Sequence, residues 1–273
     1  MRPLVVKFGG ELIEDRVHLA AAVAGLSAMA ASGTSLVVVH GGGKEIDAAL
    51  KAAGIEKRQV EGLRITDQPT LDVVVSVLAG AVNTRLVAAL NTAGVPAVGL
   101  TGADGSCGLS VLAPAHRTVD GRVVDLGCVG VPDPGADMQL LHTLSAGRFV
   151  PVIASIGLGR DGRLFNVNAD TFAGHLAACL GARRLIIAGT TPGVLDADGA
   201  TVPQLNADAV FRLVNEGTAT AGMIAKLRAC EHALAGGVDD VVIVDGRDLT
   251  ALEGAASGNA PASATRLARM VTA

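Results

Sequence analysis

Aromatic residues are nearly absent from this chain: its 273 residues include no tryptophan, no tyrosine and only five phenylalanines. Proteins that bind single-stranded nucleic acid stack the bases on aromatic side chains. The formal net charge is −4, whereas attraction to a phosphate backbone needs an excess of lysine and arginine. We therefore expect no nucleic-acid partner.

Paired cysteines and long apolar runs are also lacking. Four widely spaced cysteines occur, with no C-x-x-C pair: Cys107, Cys128, Cys179 and Cys230. This spacing argues against a zinc site or a disulfide framework and favours reduced thiols, as in a cytosol. The apolar run at 20–31 is too short and too alanine-rich to span a bilayer, and Arg2-Pro3 leads straight into a strand, leaving no room for a signal peptide. We expect a cytoplasmic protein with no membrane association.

What the chain has in abundance is glycine, and it is concentrated where predicted strands end. Leu4-Val5-Val6 predicts a buried strand with Lys7 at its end, followed by Gly9 and Gly10, and a second buried strand at 35–39 is followed by His40-Gly41-Gly42-Gly43. Ligands bind outside the carboxyl ends of strands in open α/β sheets, and glycine lets backbone N–H groups approach an anion closely. The two turns together predict an anion-binding site, whereas His40 by itself is more often a structural histidine.

The sequence also contains G-x-G-x-x-G, at Gly157-Leu158-Gly159-Arg160-Asp161-Gly162. A dinucleotide-binding motif of this form must open a helix directly. Here Asp161-Gly162 is typical of a hairpin turn, and 163–167 reads as the returning strand. The pattern therefore predicts a turn and no nucleotide site.

Further polar residues occur at predicted turns. Arg64 follows a hairpin turn at 61–62, Asn166, Asn168 and Asp170 stand between a strand and a helix, and Lys226 lies one turn inside the last long helix. We find no nucleophile–histidine pair and no metal-ligand spacing. Two lysines, many N–H donors and one carboxylate suit phosphoryl transfer. A carboxylate acceptor fits well, since it is ionised at neutral pH and needs no general base.

Strands alternate with helices along most of the chain, which predicts an α/β fold: a three-layer αβα sandwich with a mainly parallel central sheet. A barrel is the weaker alternative, because hairpins interrupt the alternation twice.

Five motifs resemble, in order, those of the amino acid kinase family. They are Lys7-Phe8-Gly9-Gly10, His40-Gly41-Gly42-Gly43, Gly62-Leu63-Arg64-Ile65-Thr66-Asp67, Asn166-Val167-Asn168-Ala169-Asp170 and Gly222-Met223-Ile224-Ala225-Lys226. The resemblance covers residues 4–245. It implies one domain over 1–273 with the fold shared by carbamate kinase, an acyl-substrate lobe at about 1–160 and a nucleotide lobe at about 161–273.

The resemblance is strongest to the members that phosphorylate the side-chain carboxylate of N-acetyl-L-glutamate with ATP and Mg²⁺ in arginine biosynthesis. It implies that Lys7 and Lys226 stabilise the transition state and that Asp170 orients both. The residues implied to hold the acyl substrate are Gly42, Gly43, Arg64 and Asn166. The residues implied to hold the nucleotide or the transferring phosphoryl group are Gly9, Gly10, Thr190, Gly193, Leu195, Thr218 and Thr220. No protein-bound metal site is implied.

The chain departs from the family pattern in the nucleotide lobe, at Thr190-Thr191-Pro192-Gly193, at Ala221 and at Ala264-Thr265. It begins at its first strand, without the additional helix of arginine-inhibited hexamers, so the resemblance implies an arginine-insensitive homodimer. Two alternatives remain: a kinase for aminoadipate or glutamate held on a carrier protein in lysine biosynthesis, and a non-catalytic regulator that binds a metabolite.

Overall fold

The computed structural model describes residues 2–118, 120–196, 198–206, 209–210, 213 and 221–268. The strands in this part of the chain are β1 (Leu4–Phe8), β2 (Leu36–His40), β3 (Gln59–Val60), β4 (Leu63–Arg64), β5 (Ala97–Thr101), β6 (Ser110–Leu112), β7 (His116–Arg117), β8 (Val123–Val124), β9 (Val129–Pro132), β10 (Val150–Ala154), β11 (Ile156–Leu158), β12 (Leu164–Val167), β13 (Arg184–Gly189), β14 (Gln204–Leu205), β15 (Asp240–Asp245) and β16 (Thr265–Ala268). The α-helices are α1 (Gly10–Glu14), α2 (Arg16–Ala31), α3 (Gly43–Ala52), α4 (Gln68–Val75), α5 (Asn83–Thr92), α6 (Gln139–Ala146), α7 (Ala169–Cys179), α8 (Ala221–Ala235) and α9 (Leu249–Ser257).

Eight strands form the central sheet, in the order β14-β16-β15-β13-β1-β2-β10-β5. All neighbours are parallel except β15 and β16. β1 and β2 are rich in valine and leucine and are buried along their whole length, as is usual for parallel strands covered on both faces. Phe8 pairs with His40 in this register, so the two glycine turns leave the sheet side by side at its carboxyl edge.

Helices cover both faces of the sheet. On one face, Leu26 of α2, Leu86 of α5 and Leu252 of α9 are fully buried in one apolar cluster. On the other face, Phe172 of α7 and Leu227 of α8 are fully buried in a second cluster. The predicted three-layer αβα sandwich with a mainly parallel sheet is confirmed.

Hairpins form where the sequence predicts them. β3 and β4 pair antiparallel around Glu61 and Gly62, both of which have positive φ angles, of 45° and 78°. β11 and β12 also pair antiparallel, and the Gly159 N–H donates to the Arg163 carbonyl across the turn. The G-x-G-x-x-G sequence therefore forms a hairpin and opens no helix. β11 and β12 belong to a second, four-stranded sheet in the order β11-β12-β9-β6.

A single helical segment of 25 residues runs from Gln68 to Thr92, with a π-helical stretch at Ser76–Val82 between α4 and α5. Its mean hydropathy reaches 1.9, so by length and composition alone it could cross a membrane. Val74, Val82 and Leu90 are fully buried in the core beside the sheet. This packing accounts for the apolar composition of the helix.

The segment after Gly254, rich in alanine, serine and glycine, carries no clear secondary-structure pattern in its sequence, yet it forms regular structure. It contains the last three residues of α9 and the strand β16, which pairs antiparallel with β15. The Thr265 hydroxyl, at the start of β16, donates to the Val202 carbonyl and accepts from the Val194 N–H. The helix predicted at 206–216 falls mainly outside the described residues.

Candidate active site

A cleft of about 350 Å³ opens at the carboxyl edge of the central sheet. This volume is at the lower end of the range for small-molecule sites. Its lining includes nine of the residues that the sequence assigns to the site: Lys7, Gly9, Gly10, Gly42, Gly43, Arg64, Asn166, Asp170 and Lys226. The cleft thus brings together residues separated by more than 200 positions in the chain.

Asp170 joins two lysines at the base of this cleft. Its Oδ1 lies 2.8 Å from Lys7 Nζ and its Oδ2 lies 3.5 Å from Lys226 Nζ. Lys7 projects from β1, Lys226 from α8, and Asp170 is the second residue of α7, whose amino terminus is capped by the Asn168 side chain. The carboxylate therefore holds two ammonium groups that come from separate elements.

The two lysines stabilise the ionised form of the buried Asp170 carboxylate. The side chains of Lys7 and Asp170 are each 7% exposed. Burial alone would raise the pKa of Asp170, but the adjacent charges of Lys7 and Lys226 outweigh burial and hold it below its usual value. The cluster of one carboxylate and two ammonium groups has a net charge of +1, which suits an anionic ligand.

The helices that carry Asp170 and Lys226 pack very closely. A Cβ atom on Gly174, one turn beyond Asp170 in α7, would lie 2.7 Å from the Ala229 carbonyl oxygen in α8. Ala229 is three positions beyond Lys226 and lies near it on α8. Because Gly174 has no side chain, α8 can pack close to α7, which brings Lys226 near Asp170.

The glycine turns approach each other closely as well. A Cβ atom on Gly10 would lie 2.9 Å from the Cα atom of Gly42. The turns lead into α1 and α3, and the first N–H groups of each helix have no acceptor within the helix. The N–H group of Gly9, however, donates to the Ala188 carbonyl at 2.9 Å, so this predicted phosphate donor is already bonded within the sheet.

Arg64 reaches the cleft from β4 and is 9% exposed. Its Nη2 lies 2.5 Å from Asp47 Oδ1 and 3.3 Å from the Gly43 carbonyl oxygen. Its Nη1 is buried and, among the described residues, has no hydrogen-bond partner. On β12 of the four-stranded sheet, the Asn166 side-chain amide donates to the Thr66 hydroxyl at 3.1 Å.

The residues assigned to the nucleotide are less completely placed. Thr190, Gly193 and Leu195 follow β13 and are not part of the cleft lining. The Thr190 carbonyl accepts from Arg247, and a Cβ atom on Gly193 would lie 2.5 Å from Thr265 Oγ1. Thr218 and Thr220 lie outside the described residues.

Sequence reasoning did not identify three carboxylates that line the cleft: Glu11, Glu14 and Asp47. The Glu14 carboxylate accepts from the Glu45 N–H at the start of α3, and burial raises its pKa. Asp47 is one turn beyond Gly43 on the same face of α3, and this i, i+4 spacing was the available signal.

The fold and the cleft define an α/β protein with a polar cleft, lined by Lys7, Lys226 and two glycine turns, at the carboxyl edge of its mainly parallel sheet. The chain belongs to the amino acid kinase family, whose sequence model matches residues 2–245. The family predicted from the five motifs is thereby confirmed.

Individual relatives agree with this assignment. The acetylglutamate kinase of Novosphingobium aromaticivorans is 42% identical over 255 residues, which cover 90% of this chain and 84% of that protein. The N-acetylglutamate synthase of Neisseria gonorrhoeae, solved with coenzyme A and N-acetyl-glutamate, is 25% identical with a TM-score of 0.82, over 99% of this chain and 60% of that chain. Carbamate kinase from Giardia lamblia bound to AMP-PNP, 15% identical with a TM-score of 0.69 over 98% of both chains, shares the fold.

Proposed function

We propose that this chain transfers the γ-phosphoryl group of ATP to the side-chain carboxylate of N-acetyl-L-glutamate, a step of arginine biosynthesis. The observation that carries the proposal is the cluster in which Asp170 holds Lys7 and Lys226 beside two glycine turns. The identity of 42% with an acetylglutamate kinase over 90% of the chain supports the substrate, as does the likeness to a synthase solved with N-acetyl-glutamate.

The reaction needs little covalent chemistry from the protein. An oxygen of the substrate carboxylate attacks the γ-phosphorus, a new P–O bond forms, and the bond to the β-phosphate oxygen breaks and releases ADP. Charge spreads over the three equatorial oxygens in the transition state. The ammonium groups of Lys7 and Lys226 stabilise this charge, and Asp170 keeps both in place by its ion pairs.

The acyl substrate contacts mainly residues of the first lobe. Arg64 binds its α-carboxylate, since a guanidinium forms charge-assisted hydrogen bonds with carboxylates, and Asn166 binds it from β12. The N–H groups at the start of α3, with Gly42 and Gly43, receive its negatively charged end.

The nucleotide enters with Mg²⁺ from the side of the second lobe, with Gly10 of the first lobe reaching its transferring phosphoryl group. Thr190, Gly193 and Leu195, with Thr218 and Thr220, form its site in this proposal. Within the described residues no group of three histidine, cysteine or acidic side chains could hold a metal ion. Nucleotide phosphates and water then supply the oxygen ligands that Mg²⁺ prefers.

The proposal includes a cytoplasmic homodimer with lobes at about 1–160 and 161–273. Four free cysteines fit a reducing compartment. β5 forms one end of the central sheet, and the side chains of Val98 and Leu100 on it are half-buried. A strand at the edge of a sheet with partly exposed apolar side chains can be covered by a second subunit in a homodimer.

A hydroxylamine trap tests the reaction and the substrate together, because an acyl phosphate reacts with hydroxylamine to give a coloured hydroxamate. The purified protein and Mg·ATP are incubated with N-acetylglutamate, glutamate, aspartate or aminoadipate. We expect hydroxamate with N-acetylglutamate alone. If none of the four acids gives product, carrier-bound aminoadipate and glutamate are assayed next. Product with one of these would support the lysine-pathway alternative, and no product with any substrate from folded protein would favour a non-catalytic regulator.

A further inference from the structure

One carboxylate of α3, that of Asp47, forms ion pairs with both ends of the β3–β4 hairpin. Lys57, just before β3, places its Nζ 2.6 Å from Asp47 Oδ2. Arg64, at the end of β4, places its Nη2 2.5 Å from Asp47 Oδ1. Each oxygen of Asp47 thus accepts from one end of the hairpin.

The ion pair with Asp47 also restricts the Arg64 guanidinium. Nη2 is shared between Asp47 and the Gly43 carbonyl, which lies one helical turn earlier on the same face of α3. Two acceptors on one rigid helix fix the plane of the guanidinium. Nη1 is the buried nitrogen for which the described residues offer no acceptor. A buried donor without an acceptor is costly, and a ligand carboxylate would satisfy it.

We infer that Asp47 is a positioning residue for the acyl substrate: it holds Arg64 and the β3–β4 hairpin so that Nη1 is left for the ligand carboxylate. This inference rests on the proposed function. Asp47 could also weaken substrate binding, because a carboxylate beside an arginine can compete with an anionic substrate for the same cation. The two effects change substrate affinity in opposite directions.

Substitution of Asp47 separates them. For Asp47→Ala we expect the Kd and KM of N-acetylglutamate to rise about tenfold or more, as for loss of a charge-assisted hydrogen bond. The kcat value and the KM of ATP should change by less than about threefold, since Asp47 contacts no residue of the lysine cluster. Asp47→Asn keeps an acceptor for Nη2 and should recover most of the affinity.

Lys57→Met is the matched control, because it removes the other cation of Asp47 and leaves Arg64 bound. It should change the KM of N-acetylglutamate by less than about twofold, because substrate affinity depends on the contact of Asp47 with Arg64 and not on its contact with Lys57. Thermal unfolding of all three variants shows whether a change in affinity follows from loss of the fold.

Unchanged or improved affinity in a folded Asp47→Ala protein would overturn the inference. Turnover by the wild-type enzyme in the hydroxamate assay shows whether the inference alone fails or the proposed function fails with it. If wild type turned over a different acid of the hydroxamate panel, the same binding measurement would be made with that acid. If wild type turned over none, the function and the inference would both be wrong.

Discussion

At the scale of single residues, the proposed chemistry depends on two lysines that form ion pairs with one buried carboxylate. Asp170 is almost fully buried, and the charges of Lys7 and Lys226 hold its pKa below its usual value. Only contacts that strengthen in the transition state accelerate the reaction. In the proposed function the two lysines therefore contribute to turnover, whereas Arg64 and Asn166 contribute to substrate binding.

Replacement of Lys226 should separate these contributions. For Lys226→Ala we expect kcat to fall by a factor of about 10² or more, with the Kd of N-acetylglutamate within about threefold of wild type. The measurement is steady-state kinetics with calorimetric titration of the acyl substrate. Arg228→Ala, which removes an exposed cation two positions later in α8, is the matched control and should retain full turnover. Near-normal turnover in Lys226→Ala would contradict the assigned role.

At the scale of secondary-structure elements, the packing of α7 against α8 determines where Lys226 lies. The Gly174 Cα faces the Ala229 carbonyl near the lysine cluster, and Gly236, just after α8, faces Ala178 at the other end of the interface. These two glycines allow the helices to approach at both ends, but only Gly174 is close to Lys226.

Gly174→Ala should therefore lower kcat by more than loss of stability alone would explain. The new Cβ would lie 2.7 Å from a backbone oxygen that cannot rotate away, so α8 must shift. We expect kcat to fall about tenfold, since displacement of a catalytic group by a fraction of an ångström weakens its contact with the transition state.

The control is Gly236→Ala, whose Cβ would lie 2.3 Å from Ala178 Cβ. This position is ten residues, about 15 Å, beyond Lys226 along α8. Both variants should lower the melting temperature, and only Gly174→Ala should lower kcat at a temperature where both are folded. An equal loss of kcat in the two would show that the effect is general destabilisation.

The sequence predicted elements well where a local signal was present. The strands that begin at Leu4 and Leu36 and the turn at Asp161-Gly162 all form where the sequence predicts them. β16 has no comparable local signal, because it is only four residues long and is held by contacts of Thr265 with the distant residues Val194 and Val202.

For the site, residue types at strand ends indicated which side chains would meet, but the hydrogen-bond partners depend on tertiary packing. The Gly9 N–H donates to the Ala188 carbonyl because β13 lies next to β1 in the sheet. The sequence alone does not predict that these two strands are neighbours. The contact of Arg64 with Asp47 likewise depends on how the hairpin folds over α3.

At the scale of the whole molecule, buried neutral histidines couple stability to pH. His40 is fully buried at the end of β2, where its ring nitrogens contact the Gly41 carbonyl and the Asn83 amide. This confirms the structural role expected for an isolated histidine. Burial lowers the pKa of His40 to about 4, and burial also lowers the pKa of His175 to about 4.

The free energy of unfolding should therefore fall as the pH decreases from about 6.5 towards 4. In this window the unfolded chain binds protons at both histidines and the native chain does not. His40 alone should account for a loss of about 2 kcal/mol at pH 5. Urea unfolding at pH 7.5, 6 and 5 measures the slope.

His40→Gln should reduce this slope, although it also lowers stability at every pH. His142→Gln removes an exposed histidine and should leave the slope unchanged. Equal slopes in wild type and His40→Gln would show that His40 does not titrate on unfolding in this range.

Phosphorus NMR of the reaction is the most direct test of the central claim, that the cleft transfers a phosphoryl group to a carboxylate. The wild-type protein is mixed with Mg·ATP and N-acetylglutamate and followed without a trapping agent. We expect a new acyl phosphate resonance to grow together with that of ADP, in equal amounts and only when N-acetylglutamate is present. Persistence of ATP, or release of inorganic phosphate at a rate independent of N-acetylglutamate, would contradict the account.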